Sequence, residues 1–250
     1  MKLLLVTAVI SFGLGISSFG QDYPAPKDIP QTPGPEPHNL SAHWVFRDVP
    51  EYLPSRESVH PEFVPAYKQQ IDELAAARAQ GTVPPATIPL ASGNCMPMGM
   101  PFMMTQHPPI NIVAGKDEIV IFSEQHSSGR HIYLDGRSHP APQYLQRTTN
   151  GHSIGHWEGD VLVVDTIGFI DNEGMTGITG GGVRESTTHL TERFHLVDGG
   201  SKLWYDAIWE DPKIFAKPMT LTYIFFRMPP DTFSIEEGCD AGASNQHRLY

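Results

Sequence analysis

The sequence predicts a mainly β fold, in which an antiparallel meander closes into a β-barrel with a lipocalin-like calyx. From residue 110 onward apolar and polar residues alternate with a period of two, which is the pattern of half-buried strands. Turn signals such as Asp135-Gly136 and Asp198-Gly199 separate these runs, and no helical segment lies between them. A long meander hides its edge strands best by closing on itself, and a β-sandwich is the alternative.

Seven segments carry the strand pattern, and one carries a helix pattern. The strand segments are 117–124, 129–134, 153–158, 161–166, 187–197, 202–210 and 219–228. A helix is predicted at about 64–80, where Tyr67 and Ile71 belong to an apolar stripe and Gly81 ends the pattern. The Gly-rich stretch 168–186 predicts a mobile loop at one mouth of the barrel.

Proline divides the chain of 250 residues into two parts, because it is dense before residue 110 and sparse afterwards. The first part is therefore predicted to be largely extended or irregular. The hydrophobic share of 40% and the charged share of 18% favour a folded protein over a disordered one. The predicted segments are a signal peptide (1–20), a Pro-rich extended segment (21–60), the helix with an irregular Met/Pro-rich strap (61–109), and the β-barrel domain (110–250).

The first twenty residues have the pattern of a secretory signal peptide. Lys2 precedes an apolar run at 3–14, and small residues lie before a cleavage site at Gln21. The apolar run is too short for a good transmembrane helix. We therefore expect an exported protein, periplasmic or extracellular, with no membrane span. In such a compartment Cys95 and Cys239 are expected to form a disulfide.

The charge balance excludes one class of partner. The 28 acidic residues outnumber the 17 Lys and Arg residues, which gives a formal net charge of −11. A nucleic-acid backbone needs a basic surface, so no nucleic-acid partner is expected. The sequence also lacks the GK[ST] ending of a phosphate-binding loop and the HExxH zinc motif, and no cofactor is predicted.

Glu192 is a candidate functional residue because it interrupts an apolar strand face. It alternates with Leu190 and Phe194 in the predicted strand 187–197, so it is expected to point inward. A buried carboxylate costs several kcal/mol unless it is paired or keeps its proton. Glu192 is thus either half of a structural ion pair or a tuned acid/base group, and both interpretations stay open.

Other residues extend this pattern into a possible acid/base site. Glu124 shares a face with Val120 and Phe122, which suggests a second inward carboxylate. His131 and His156 lie on nearby predicted strands. Two inward carboxylates facing two histidines would form an acid/base site inside the barrel. The alternative is that strand ends simply become polar.

Four motifs of this sequence resemble a family of exported bacterial proteins. They are HIYLDGRSHP (131–140), SIGHWEGDVLVVDTIGF (153–169), HLTERF (189–194) and DPK (211–213). The similarity covers about 60–246 and implies no particular reaction. The motif positions that it marks are Glu124, Asp135, Arg137, His139, His156, Trp157, His189, Glu192, Arg193 and Asp211. The sequence departs from the family at Phe102, where arginine is typical, and in the loop 170–186.

A methionine-rich segment offers a different chemistry. Five methionines fall within 96–104, and thioether ligands suit Cu(I) in an exported protein. The candidate ligands are Met96, Met98, Met100 and His107. The alternative is that flexible methionines fill gaps beneath an irregular segment.

These observations favour an exported enzyme that uses cofactor-free acid/base chemistry on an apolar or aromatic small molecule in a barrel cavity. An isomerase, lyase or cyclase type of reaction is expected. The predicted catalytic residues are His156, His189, Glu192, Arg193, Glu124 and His131. The predicted substrate-binding residues are Arg137, His139, Trp157 and Asn172. The alternatives are a periplasmic lipocalin-like binding protein for a hydrophobic ligand, and a copper-handling protein that uses the methionine segment.

Overall fold

The structure is a computed structural model that describes residues 38–46, 61–82, 99–105, 109–124, 128–171 and 186–234. Within these ranges the chain forms a closed barrel of nine strands, so the predicted β-barrel is confirmed. Each strand pairs with the next one along the chain, and the last pairs with the first. The strands are β1 (Ala42–Phe46), β2 (Ile110–Ala114), β3 (Glu118–Ser123), β4 (Ser128–Tyr133), β5 (His152–Glu158), β6 (Val161–Ile167), β7 (His189–Val197), β8 (Lys202–Glu210) and β9 (Met219–Arg227).

The strand that closes the barrel, β1, comes from the segment that the sequence placed outside the barrel domain. It pairs with β2 on one side and with β9 on the other, both antiparallel. Trp44 anchors this strand, because its side chain is fully buried and its indole Nε1 donates a hydrogen bond to the carbonyl of Leu40 at 2.9 Å. The seven predicted strands, β3 to β9, agree with the observed bounds within two residues at each end.

The junction of β4 and β5 departs from the predicted antiparallel meander. These two strands are parallel, and their pairing is limited to Ile132 with Ser153 and Tyr133 with Ile154. Every other neighbouring pair in the barrel is antiparallel. A parallel pair needs a connection that returns to the starting end of the sheet, and residues 134–151 supply it. The barrel wall is least continuous at this junction.

The inner faces of the strands pack into one apolar cluster. Its largest fully buried members include Trp44, Phe46, Phe194, Tyr205 and Trp209. Burying a large apolar side chain contributes about 1.5–3 kcal/mol, so this cluster supplies much of the driving force for folding. The interior that the sequence suggested as a ligand cavity is occupied by these side chains.

The predicted helix is present as α1 (Pro65–Ala79). Pro65 opens the helix, at a position where a missing N–H group costs nothing. Phe63, just before the helix, stacks on Phe215 with ring centroids 5.9 Å apart and ties this end to the barrel. A second helix of one turn, α2 (Phe102–Thr105), is buried against the core. Among the residues described, none of the helices is long and apolar enough to span a membrane.

Candidate functional site

A cleft of about 570 Å³ opens in the barrel wall where β4 and β5 diverge. It is lined by both strands and by the connection between them. The lining residues that could meet a ligand include His131, Tyr133, Tyr144, Thr148, Asn150 and His152. The cleft exists because strand pairing covers only the last two residues of β4. Further back along β4, the Asn150 side-chain amide donates to the carbonyl of Gly129 at 2.9 Å and replaces a strand hydrogen bond.

The segment before α2 supports the cleft. The Met100 N–H donates to the carbonyl of Thr149, which lines the cleft, at 3.1 Å. Gly99 has a φ of +64°, and a Cβ atom at that position would lie 2.1 Å from the same carbonyl oxygen. Only glycine allows the two segments to approach so closely.

Next to the cleft lies a chain of hydrogen-bonded side chains that we call the histidine cluster. It extends over the outer surface of the barrel from β5 to β8. His152, which lines the cleft, shares a hydrogen bond with His139 through their Nδ1 atoms, 2.8 Å apart. His139 Nε2 lies 2.6 Å from Asp165 Oδ1, and His189 Nε2 lies 2.5 Å from Asp165 Oδ2. His189 Nδ1 lies 3.5 Å from a carboxylate oxygen of Glu210.

These contacts shift the pKa values of three residues in the cluster. The hydrogen bond from His189 is the main cause that lowers the pKa of Asp165, and the bond from His139 adds to it. Asp165 in turn raises the pKa of His189 above its usual value, with a smaller contribution from Glu210. Partial burial lowers the pKa of His152, and electrostatic interactions with His139 and Arg137 act in the same direction. His152 therefore favours the neutral form that can accept a proton.

Inside the barrel, Glu192 is fully buried and forms an ion pair with Arg130, which is equally buried. Arg130 Nη1 donates to Glu192 Oε1 at 2.8 Å, and Nη2 donates to Glu192 Oε2. The Tyr205 hydroxyl donates to Glu192 Oε1 at 2.9 Å. Burial would lower the pKa of Arg130, but the charge and hydrogen bond of Glu192 raise it. Burial, and then the charge of Glu192, raise the pKa of Tyr205.

The remaining donors of the Arg130 guanidinium are also used. Nε and Nη2 donate to the hydroxyl of Ser153, at 3.1 Å and 2.9 Å, and Nη2 donates to the hydroxyl of Thr166 at 2.8 Å. The Met100 sulfur lies 3.6 Å from Nη1. The inward position of Glu192 is thus confirmed, and its contacts are those of a satisfied structural ion pair.

The other members of the predicted interior acid/base site do not meet Glu192. The inward face of β3 carries Ile119, Ile121 and Ser123, whereas Phe122 is 46% exposed. The expectation that the face of Val120 and Phe122 points inward was therefore wrong, and Glu124 lies just past the end of β3, in a half-buried turn position. The prediction failed because both faces of β3 are apolar, and alternation alone cannot orient such a strand.

The two histidines of that predicted site lie on the outer surface. His131 contacts Glu118, with Nδ1 and Oε1 2.7 Å apart, and it lines the cleft. His156 is 66% exposed and faces Glu158 on its own strand. Arg193 also pairs with Glu158, at 2.8 Å. The structure therefore places His131 at the cleft and leaves His156 and Arg193 in a separate surface group.

Three other residues that the sequence marked make contacts that hold the local fold. Arg137 pairs with Asp135, and its guanidinium lies 3.9 Å from the centroid of the Tyr133 ring. The Trp157 ring stacks on His38. The buried Asp211 accepts hydrogen bonds from the hydroxyls of Thr187 and Thr188 and from the Lys213 N–H, so it holds the turn after β8. The predictions outside the described residues are those for Asn172, Met96, Met98, His107, Cys95, Cys239 and the signal peptide.

The methionine segment shows no ligand-like surface where it is described. Met100, Met103 and Met104 are buried in the core cluster. The Met100 sulfur faces the Arg130 guanidinium, and a cation already at this position disfavours a second one. In the described part of the chain, no three His, Cys, Asp or Glu side chains are arranged to hold a metal ion.

Sequence reasoning missed the residues that organise the site. Arg130 alternates with Ile132 and Leu134, so its inward parity could have been found, although its partner could not. His152 and Asp165 gave no separate signal, because each is an outward polar residue in an ordinary strand. The search of protein-family models and of curated proteins returned no match for this sequence.

Proposed function

We propose that this chain is an exported enzyme that performs cofactor-free acid/base chemistry on a small molecule bound in the cleft. The observation that carries the proposal is the setting of His152. This side chain lines the cleft, favours the neutral form, and shares a hydrogen bond with His139 through its Nδ1 atom. A neutral imidazole held in this way can take a proton from a bound molecule and return it to another atom.

His131 is the partner group in this proposal. It lines the same cleft, and its Nδ1 is held 2.7 Å from the Glu118 carboxylate. The Tyr133 ring lies close to both histidines, with centroids 6.4 Å from His131 and 5.5 Å from His152. A ligand stacked against Tyr133 would therefore lie near both imidazoles. This arrangement suits isomerase, lyase or cyclase chemistry, in which one proton leaves and another is delivered.

The lining supports a neutral ring compound as the substrate class. Among the described residues of the cleft, Arg130 is the one with a permanent charge, and Glu192 already neutralises it out of contact with solvent. Tyr144 offers a flat apolar face, and Tyr133 offers the face of its ring that Arg137 does not cover. Thr148 and Asn150 add polar groups beside them. We therefore propose a small uncharged ring that carries a carbonyl or hydroxyl group, rather than an anion or a purely aliphatic ligand.

The test combines binding with proton transfer. Ligand-observed NMR would screen neutral cyclic ketones and lactones against matched carboxylates in the presence of the full chain in D2O. We expect neutral rings to bind, and at least one of them to exchange an acidic C–H proton for deuterium faster than in buffer. Binding without faster exchange would instead favour a periplasmic binding protein. Binding confined to the carboxylates would contradict the proposed substrate class.

A further inference from the structure

We propose that Asp165 and His139 fix the tautomer of His152, so that Nε2 of His152 is the proton-accepting atom and Nδ1 passes a proton to His139. The inference rests on the proposed function of the cleft. It makes His139 and Asp165 positioning residues that act through His152.

The carboxylate of Asp165 fixes where two imidazoles carry a proton. An ionised carboxylate can only accept hydrogen bonds, and each of its two oxygens faces an imidazole nitrogen. Oδ1 lies 2.6 Å from His139 Nε2, and Oδ2 lies 2.5 Å from His189 Nε2. Both Nε2 atoms must therefore carry a proton. The contacts from His189 and His139 also keep Asp165 ionised by lowering its pKa.

The proton on Nε2 of His139 in turn determines which nitrogen of His152 carries a proton. A neutral His139 with its proton on Nε2 has its lone pair on Nδ1. The 2.8 Å contact between the two Nδ1 atoms is then a hydrogen bond only if His152 donates it. A neutral His152 that carries its proton on Nδ1 has a bare Nε2. In water, histidine prefers the opposite tautomer, so this state has to be imposed by the protein.

During a reaction, protons can move between the substrate, His152 and His139. When Nε2 of His152 accepts a proton from the substrate, the proton on Nδ1 can cross to Nδ1 of His139. His152 is then neutral again with its proton on Nε2, and the positive charge lies on His139 beside the Asp165 carboxylate. The reverse shift returns a proton to the product through the same atoms. No net proton is gained or lost, and no other reactant is needed.

The environment of His152 favours this displacement of charge. The guanidinium of Arg137 covers the Tyr133 ring, and that ring lies next to His152. A positive charge on His152 is therefore disfavoured by Arg137, whereas on His139 it is balanced by Asp165 at hydrogen-bond distance. His189 completes the arrangement, because it occupies the second carboxylate oxygen and leaves Oδ1 for His139.

The test is the protonation pattern of His152, measured by two-bond ¹H–¹⁵N correlation NMR of the labelled full chain. The spectrum of His152→Gln identifies the signals among the twelve histidines. In the wild type we expect neutral His152 to carry its proton on Nδ1. In Asp165→Leu we expect the Nε2 tautomer that predominates in water. Asp206→Leu is the matched control, because Asp206 is a carboxylate on the outer surface that is bonded to Trp204 and Thr222 instead.

Two results would overturn the inference. One is a wild-type His152 with its proton on Nε2, and the other is an unchanged tautomer in Asp165→Leu. These outcomes are independent of whether the cleft is catalytic. Deuterium exchange without the tautomer change would leave the proposed function intact and refute the relay. The tautomer change without deuterium exchange would support the positioning of His152 by Asp165 and refute the proposed function. Once a substrate is identified, we expect Asp165→Leu to lower kcat about 10- to 100-fold while KM stays unchanged, since part of the general-base contribution is lost.

Discussion

The Glu192 carboxylate and the Arg130 guanidinium form a doubly hydrogen-bonded ion pair across the inside of the barrel, where 0% and 1% of their side-chain surface is exposed. The two residues belong to β7 and β4, which are not neighbours in the sheet. The pair therefore joins two sides of the wall through the core. It also fixes the start of β4, where pairing with β5 is missing and the cleft begins.

Breaking this ion pair is expected to destabilise the fold strongly. Glu192→Gln leaves a buried guanidinium without its counter-charge, and we expect a loss of about 3–5 kcal/mol in the free energy of unfolding. The double variant Arg130→Met with Glu192→Leu removes both charges, and should be more stable than Glu192→Gln alone. Urea unfolding of the three proteins measures this.

The exposed pair of Arg193 with Glu158 is the control. Both side chains are at least 40% exposed, so Arg193→Gln should cost no more than about 1 kcal/mol. A Glu192→Gln protein that unfolds at the same urea concentration as Arg193→Gln would refute the structural role of the buried pair.

Gly99 is expected to be essential for the position of Thr149 at the cleft. In Gly99→Ala the new methyl group meets the Thr149 carbonyl, so we expect a destabilisation of about 4 kcal/mol or more. Gly136→Ala is the matched control, because Gly136 also has a positive φ but nothing lies within 4 Å of its Cβ position. That change should cost about 1–2 kcal/mol from backbone strain alone. Equal losses in the two variants would contradict the close approach.

The contact of His189 with Asp165 should make stability depend on pH. The folded-state pKa of His189 is raised above its usual 6.5, so its contribution is complete below 6.5 and is lost as the pH rises through the raised value. Asp165 has a lowered pKa and stays ionised over this range. Asp165→Asn should therefore destabilise the protein more at about pH 6 than at about pH 9.

Urea unfolding of both proteins at the two pH values measures this difference. The pKa of His152 is lowered mainly by burial, which is the same in both proteins, so most of its opposite effect on stability cancels in the comparison. A destabilisation that is the same at both pH values, or larger at the higher one, would show that the ion pair does not contribute.

Local patterns were enough to predict a closed barrel but not the strand that closes it. Alternation and turn residues located seven strands, because each strand is amphipathic or bounded by glycine turns. The short strand β1 follows a Pro-rich segment and has only five residues, so its role depends on partners 60 or more positions away. The parallel pairing of β4 with β5 was also out of reach, since a connection of that length is compatible with either direction.

The candidate site was predictable only in part. The inward position of Glu192 followed from its apolar neighbours Leu190 and Phe194. Of the histidine cluster, His139 and His189 were predicted as site residues. Their meeting with Asp165 could not be predicted, because the cluster comes from four strands and one connection, and only the strand register brings its members together. His152 and His156 illustrate the limit. They lie on the same face of β5, and sequence alone selected the one outside the cleft.

The assignment of His152 as the base is decided by comparing His152→Gln with His156→Gln in the deuterium-exchange assay on a bound neutral ring. The two changes are chemically identical and four residues apart on one strand. We expect exchange to fall about 100-fold or more in His152→Gln, with binding retained, and to stay at the wild-type rate in His156→Gln. Wild-type exchange in His152→Gln, or a loss confined to His156→Gln, would contradict the assignment of His152 as the base.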